Sequence, residues 1–100
     1  MAIKLSREAE EGLYDSWVYT NEKFGISVAD EILDSLESAL ELISNRPEVG
    51  HYREDLASKP WRFWPVGPSL IVYKVKRKTV LVAYIGRVER DWKTILDKDS

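Results

Sequence analysis

The chain of 100 residues contains no cysteine and a single histidine, His51. Without thiols it can form neither a disulfide nor a thiolate zinc site, and one histidine in a polar stretch offers no Ser–His–Asp arrangement. The sequence also lacks a phosphate-binding glycine loop and a dinucleotide fingerprint. We therefore expect no metal site and no cofactor, and look for function among the charged and aromatic side chains.

Long apolar runs are absent as well. No stretch approaches the roughly 20 apolar residues that cross a bilayer, and the opening Met1–Leu5 is too short for the core of a signal peptide. The absence of cysteine fits a reducing compartment. The length suits one compact core. We expect a cytoplasmic protein with no membrane association, folded as a single domain over residues 1–100.

The net charge of −2 hides an uneven distribution. Residues 1–57 carry five lysines and arginines against thirteen acidic residues, whereas residues 58–100 carry ten against four. A chain with one acidic and one basic half can present opposite faces to two different partners. The alternative is a set of solvated helix faces whose imbalance has no function.

Two helices are predicted in the acidic half. Ser6 suits the N-cap of the first helix, and Gly25 suits its end. Ser27, with Asp30 three residues later, predicts the start of the second helix, which ends before Pro47. Because the link between the helices is so short, they should form an antiparallel hairpin.

The other elements are mostly β-strands separated by turn residues. Strands are predicted at residues 2–5, 61–65, 70–76 and 79–85, with a tight turn at Arg77-Lys78, an irregular loop from Pro47 to Pro60, and a short final helix from Asp91 to Leu96. This order predicts an α+β fold. A short N-terminal strand and an antiparallel helical hairpin would pack on an antiparallel β-meander that is followed by a short C-terminal helix.

Arginines lie among aromatic residues in the basic half. A guanidinium group donates two parallel hydrogen bonds and stacks on flat rings, so such a surface suits phosphate, nucleobase or carboxylate partners. The alternative is that each arginine pairs with a nearby acid such as Glu89 or Asp91. The candidates for binding a macromolecular target are Arg53, Arg62, Arg87, Arg90 and Trp92.

Several short motifs occur in a fixed order over nearly the whole chain. They are Tyr19 to Gly25 followed by Ala29 and Ile32, Pro47 through Gly50 to Arg53-Glu54-Asp55-Leu56, Arg62-Phe63-Trp64-Pro65-Val66-Gly67 with Leu70-Ile71-Val72-Tyr73, and Arg90-Asp91-Trp92. In order and spacing they resemble the RelE/ParE toxin superfamily of type II toxin–antitoxin modules, and within it the ParE branch. One departure is Arg87-Val88, which stands where the family commonly has His-Gly.

The resemblance to ParE implies a toxin that inhibits DNA gyrase by binding it, with no chemistry of its own. It also implies roles in growth inhibition and plasmid stabilisation. A cognate ParD-like antitoxin would hold the toxin inactive, and a heterotetramer is expected because such antitoxins usually dimerise. We expect no direct sequence-specific DNA binding by this chain alone.

The resemblance to the RelE branch implies an alternative, a ribosome-dependent mRNA endonuclease. Lys59, Arg62 and Arg87 would then be the catalytic residues. Trp92 occupies roughly the place of that branch's tyrosine but cannot donate a phenolic proton, and no base for the 2′-hydroxyl is evident. A further alternative is a toxin-derived domain that has kept only its partner-binding role.

The first helix has an apolar arc of about 180°, wider than the roughly 100° that one core face needs. Tyr14 and Val18, together with Trp17, are therefore candidates for contact with the antitoxin. Its C-terminal segment would fold into the groove of the hairpin. The alternative is that Tyr14 and Val18 are half-exposed without consequence.

Overall fold

The computed structural model describes residues 1–97 and confirms the α+β class and the order of the predicted elements. Its elements are β1 (Ala2–Leu5), α1 (Arg7–Phe24), α2 (Ile26–Asn45), β2 (His51–Tyr52), β3 (Arg62–Val66), β4 (Ser69–Lys76), β5 (Thr79–Arg87) and α3 (Trp92–Asp97). The strand β2 lies inside the segment predicted as an irregular loop. Two residues are too few to produce a recognisable sequence pattern.

The five strands form one sheet in the order β1-β5-β4-β3-β2. β1 runs parallel to β5, and all the other neighbouring pairs are antiparallel. The parallel pair arises because the helical hairpin and the meander separate β1 from β5 along the chain, so the connection crosses over the sheet. The predicted meander is thus extended by one strand at each edge.

The ends of the two helices are set by Ser6 and Gly25. The hydroxyl of Ser6 accepts a hydrogen bond from the backbone N–H of Ala9 at 3.0 Å, which confirms the predicted cap. Gly25 has φ 93° and ψ 169°, a conformation almost restricted to glycine, and it ends α1 and begins α2. The predicted cap at Ser27 is wrong, because α2 is already helical from Ile26.

Side chains from the sheet enter two separate hydrophobic cores. Ile71 and Tyr73 of β4 point to the face covered by α1 and α2, whereas Leu70 and Val72 point to the opposite face. The second face is covered by α3 and by the loop that precedes β3. Its buried residues are Ala57, Trp61, Phe63, Leu70, Val72, Trp92 and Leu96.

Helix α1 approaches β5 closely at Gly12. A Cβ atom at that position would overlap the carbonyl group of Ile85. Only glycine therefore allows this separation between the helix and the strand. The close approach brings the first half of α1 alongside the end of β5, which defines the site described below.

Helix α2 carries acidic residues along its exposed side. Asp30, Asp34, Glu37 and Glu41 are all exposed, while Leu36 is fully buried beneath the helix. Within residues 1–97, no helix has both the length and the apolar character needed to cross a membrane.

Candidate partner-binding site

The predicted target-binding arginines fall into two groups at opposite ends of the sheet. Arg62 is in register with Tyr73, which is in register with Val82. Arg87 lies five residues further along β5, which corresponds to about 16 Å of strand. Arg62 and Arg87 do not form one continuous surface, because β3 and β5 run in the same direction and Arg62 begins β3 while Arg87 ends β5.

Arg62 is held by the loop that it contacts. Its Nη1 donates to the carbonyl oxygens of Gly50 at 2.8 Å and Glu48 at 3.3 Å. Its guanidinium carbon lies 4.2 Å from the centre of the Tyr52 ring. These contacts give Arg62 a structural role in anchoring the segment before β2.

The hydroxyl of Tyr73, on β4, also forms hydrogen bonds with the segment before β2. It accepts a hydrogen bond from the backbone N–H of Gly50 and donates one to the carbonyl oxygen of Pro47, both at 2.7 Å. Burial raises the pKa of Tyr73, because the charged phenolate would lose its hydration. A Cβ atom on Gly50 would overlap this hydroxyl, so glycine is required there.

The other basic candidates at this end of the sheet are Arg53 and Lys59. Arg53 donates two hydrogen bonds to Asp55, at 2.9 and 3.1 Å, and these bonds lower the pKa of the Asp55 carboxyl. The Lys59 ammonium lies 4.8 Å from the centre of the Tyr52 ring, and so shares that ring with Arg62. Lys59 and Arg62 are therefore neighbours, but Arg87 does not join them.

Arg87 and Arg90 form a second group at the end of β5. The Arg87 guanidinium lies 4.5 Å from the centre of the Tyr19 ring, and its Nε donates to Glu89 at 3.1 Å. That hydrogen bond lowers the pKa of Glu89. The backbone N–H of Arg90 donates to the carbonyl of Arg87 at 3.2 Å, which keeps the two residues at one corner.

A groove of about 490 Å³ runs between α1 and the end of β5. Gly12 and Ile85, which mark the close approach of the helix to the strand, both contribute to its lining. The helix supplies acidic side chains, and the strand end supplies the guanidinium groups. The charged and aromatic residues along it are Glu8, Glu11, Asp15, Tyr19, Tyr84, Arg87 and Arg90.

The predicted antitoxin-binding residues lie on other sides of α1. Tyr14 is 68% exposed and faces solvent, whereas Val18 is half-buried. Trp17 is half-buried against α2, where its indole N–H donates to Asp30 at 2.9 Å. None of the three lines the groove. Sequence reasoning missed Tyr19, although the isolated glycine within the first helix was a signal of close packing there.

Trp92 is buried, with 1% of its surface exposed. The expectation that Trp92 contacts a target directly is therefore wrong for this conformation. The cause is α3, which folds back onto the sheet and places the indole against the second core. The guanidinium of Arg90 lies 5.5 Å from the centre of that ring, at the surface.

Comparisons with known proteins agree on one family. The model of the ParE toxin of the type II toxin–antitoxin system parDE matches residues 3–92. Toxin ParE1 of Caulobacter vibrioides is 29% identical over 72 residues, which cover 72% of this chain and 74% of that protein. A solved structure of a chromosomal ParDE system from P. aeruginosa shares the fold, with a TM-score of 0.76, 20% identity, and coverage of 89% of this chain and 97% of the other. Since the family match spans nearly the whole chain, this protein belongs to the ParE toxins of type II toxin–antitoxin systems.

Proposed function

We propose that this ParE toxin inhibits DNA gyrase by binding it, and that a cognate antitoxin neutralises the toxin by covering α1. The target follows from the family resemblance. One observation favours a binding mechanism over RNA cleavage: Lys59 and Arg62 lie at the opposite end of the sheet from Arg87. The three candidate catalytic residues of the endonuclease alternative therefore do not surround a common phosphate.

Cleavage of RNA requires a base for the 2′-hydroxyl and a cation near the developing phosphate charge. The donors of Arg62 are directed to backbone carbonyls of the loop. Its ring partner, Tyr52, is shared with Lys59. This arrangement supports a structural use of both side chains.

For contact with gyrase we propose Arg87 and Arg90. Both are exposed at one corner, and the backbone hydrogen bond between them limits their separation. Arg87 is further oriented by Tyr19 and Glu89. An oriented guanidinium loses less conformational entropy on binding than a free one. A target contact by Arg53 stays a prediction.

A supercoiling and cleavage-complex assay with purified gyrase tests the proposal. The wild-type toxin should inhibit supercoiling and accumulate cleaved DNA. The Arg87→Ala/Arg90→Ala variant should require at least about tenfold more toxin, since a charged hydrogen bond contributes about 1.5 to 3 kcal/mol. The Arg7→Ala/Arg46→Ala variant removes the same charge from the helical side and should match the wild type.

Gyrase that remains fully active at a large excess of toxin contradicts the proposal. Two further measurements distinguish the alternatives. Codon-positioned cuts on translating ribosomes, detected by primer extension and lost in Arg62→Ala, would support the endonuclease. Normal growth after expression without the antitoxin would support a domain that only binds its partner.

For the antitoxin we propose a surface that begins at Tyr14 and Val18 and continues into the groove at Tyr19. Tyr14 is largely exposed, and burying its ring would remove apolar surface from water. The acidic wall of the groove suits basic side chains of the antitoxin, and the guanidinium corner suits acidic ones. A dimeric antitoxin would give a heterotetramer.

Calorimetric titration with the cognate antitoxin tests that surface. The Tyr14→Asp/Val18→Asp variant should bind at least about tenfold more weakly, because two charges would be desolvated at the interface. The Ser35→Asp/Ser38→Asp variant adds the same charge on the exposed side of α2 and serves as the control. Equal affinity of the first variant and the wild type would show that Tyr14 and Val18 are exposed without consequence.

A further inference from the structure

The face of the sheet opposite the helical hairpin is covered only in part. Helix α3 and Trp61 cover the end that contains Phe63 and Val72. Beyond Trp61 the same face continues across β4, β5 and β1, and no helix or strand within residues 1–97 covers it there. Its residues form two rows in register, Lys74 with Leu81 and Lys4, and Lys76 with Thr79 and Ala2.

These rows contain lysines but no acidic residue. Opposite charges on neighbouring strands stabilise a sheet and like charges destabilise it, so an exposed sheet face usually mixes the two signs. Lys4 and Lys74 are separated by one strand, which places their Cα atoms about 10 Å apart. Among the ion pairs formed within residues 1–97, none involves Lys4, Lys74 or Lys76. The lysine charges of this face are therefore not neutralised across the strands.

The surroundings of the lysines favour an anionic partner. Lys4 and Lys74 line a shallow depression of about 370 Å³, and the one other charged residue in its lining is Glu8. The Lys74 ammonium lies 4.8 Å from the centre of the Trp61 ring, a contact that positions the charge. The acidic residues of α2 lie on the opposite side of the molecule, so an extended anion is attracted to one face only.

We propose that this lysine face, defined by Lys4, Lys74 and Lys76, binds the sugar–phosphate backbone of duplex DNA without reading its sequence. Duplex DNA carries about one charge per 1.7 Å of its axis, so a flat row of ammonium groups meets phosphates in any register. Trp61 is only 6% exposed and offers no ring on which an unpaired base could stack. The lysine face is separate from Arg87 and Arg90, and its DNA contact does not depend on the identity of the toxin's target.

Fluorescence anisotropy of a labelled duplex of about 30 base pairs, in about 50 mM potassium chloride, tests the proposal. The wild type should bind with a dissociation constant in the micromolar range, and the affinity should fall steeply with salt. The Lys4→Gln/Lys74→Gln/Lys76→Gln variant should lower the slope of log affinity against log salt by about three, roughly one for each lost phosphate contact. Lys4→Arg/Lys74→Arg/Lys76→Arg should retain the slope.

The matched control is Arg7→Gln/Lys23→Gln/Arg46→Gln, which removes the same charge from the helical side. If the slope of log affinity against log salt is unchanged in this control, the lysine face is supported. If the slope falls equally in both glutamine variants, the proposal is overturned, since net charge alone would then explain binding. The absence of duplex binding up to about 100 µM also overturns it. Binding of polyglutamate but not of DNA would assign the face to an acidic protein instead. Thermal unfolding of each variant checks that the fold is intact. Because gyrase is absent from all these measurements, the result is independent of the proposed target.

Discussion

At the scale of single residues, the most consequential contact is the hydroxyl of Tyr73. The side chain is fully buried, and its one oxygen is both acceptor and donor for the segment that links α2 to β2. Arg62 donates to the same segment from the next strand. The two side chains explain how a loop with little regular structure keeps a defined path.

Replacement of Tyr73 by phenylalanine should lower the free energy of unfolding by about 1 to 3 kcal/mol, because the buried N–H of Gly50 loses its acceptor. The pKa of Tyr73 is raised in the folded state, so its stabilisation is complete below the ordinary tyrosine pKa of about 10 and is lost as the pH rises above that value. The advantage of the wild type over Tyr73→Phe should therefore shrink above about pH 10. Urea unfolding at several pH values measures this difference, and a constant difference up to pH 11 would contradict it.

For single residues, the sequence predicts those roles that depend only on neighbours in the chain. Ser6 caps α1 and Gly25 ends it because these roles depend on the residue's own backbone and its next few neighbours. The roles of Arg62 and Trp92 were not predictable in the same way. Arg62 contacts carbonyl groups 12 and 14 residues away, and Trp92 is buried by a helix that must first dock on the sheet.

At the scale of elements, the hairpin between β4 and β5 has a turn whose residues are poorly suited to it. Arg77 and Lys78 both have positive φ, 52° and 61°, as a type I′ turn requires. Residues other than glycine, asparagine and aspartate adopt this conformation at a cost. The turn was predicted from the flanking strands, although its sequence is not one that such turns favour.

The Arg77→Asn/Lys78→Gly variant should raise the free energy of unfolding by about 0.5 to 2 kcal/mol, because Asn-Gly adopts this turn readily. Arg77→Ala/Lys78→Ala removes the same two charges but keeps the unfavourable conformation. This control should not be stabilised, which separates the turn effect from relief of charge repulsion among the nearby lysines. Chemical denaturation of the three proteins gives the comparison, and equal stabilisation of both variants would contradict the turn effect.

At the scale of the whole molecule, one sheet supports two cores. Alternate residues of β4 enter the core under the hairpin and the core under α3. Because the two cores share this strand, disruption of one core also disturbs the residues that form the other. The arrangement also separates the charges. The acidic residues of α2 lie on one side, and the lysine face lies on the other.

Because the cores share β4, unfolding should be a single cooperative transition. Far-UV circular dichroism reports mainly the helices over the first core. In a Trp17→Phe/Trp64→Phe variant, on which both spectra are recorded, the tryptophan bands of the near-UV spectrum report Trp61 and Trp92 of the second core. The two signals should give the same midpoint in urea within experimental error. A near-UV transition that clearly precedes the far-UV one would show that α3 and its core separate independently.

The sequence by itself determined the elements of this protein, because helix caps, turns and apolar periodicity act over a few neighbouring residues. The order of its motifs was also sufficient to indicate the family. Only the tertiary structure decided which side chains meet. It placed Arg62 and Arg87 at opposite ends of the sheet, buried Trp92, and opened a groove beside Gly12. The reason is that strand direction and helix docking depend on packing between residues far apart in the chain, which no local pattern encodes.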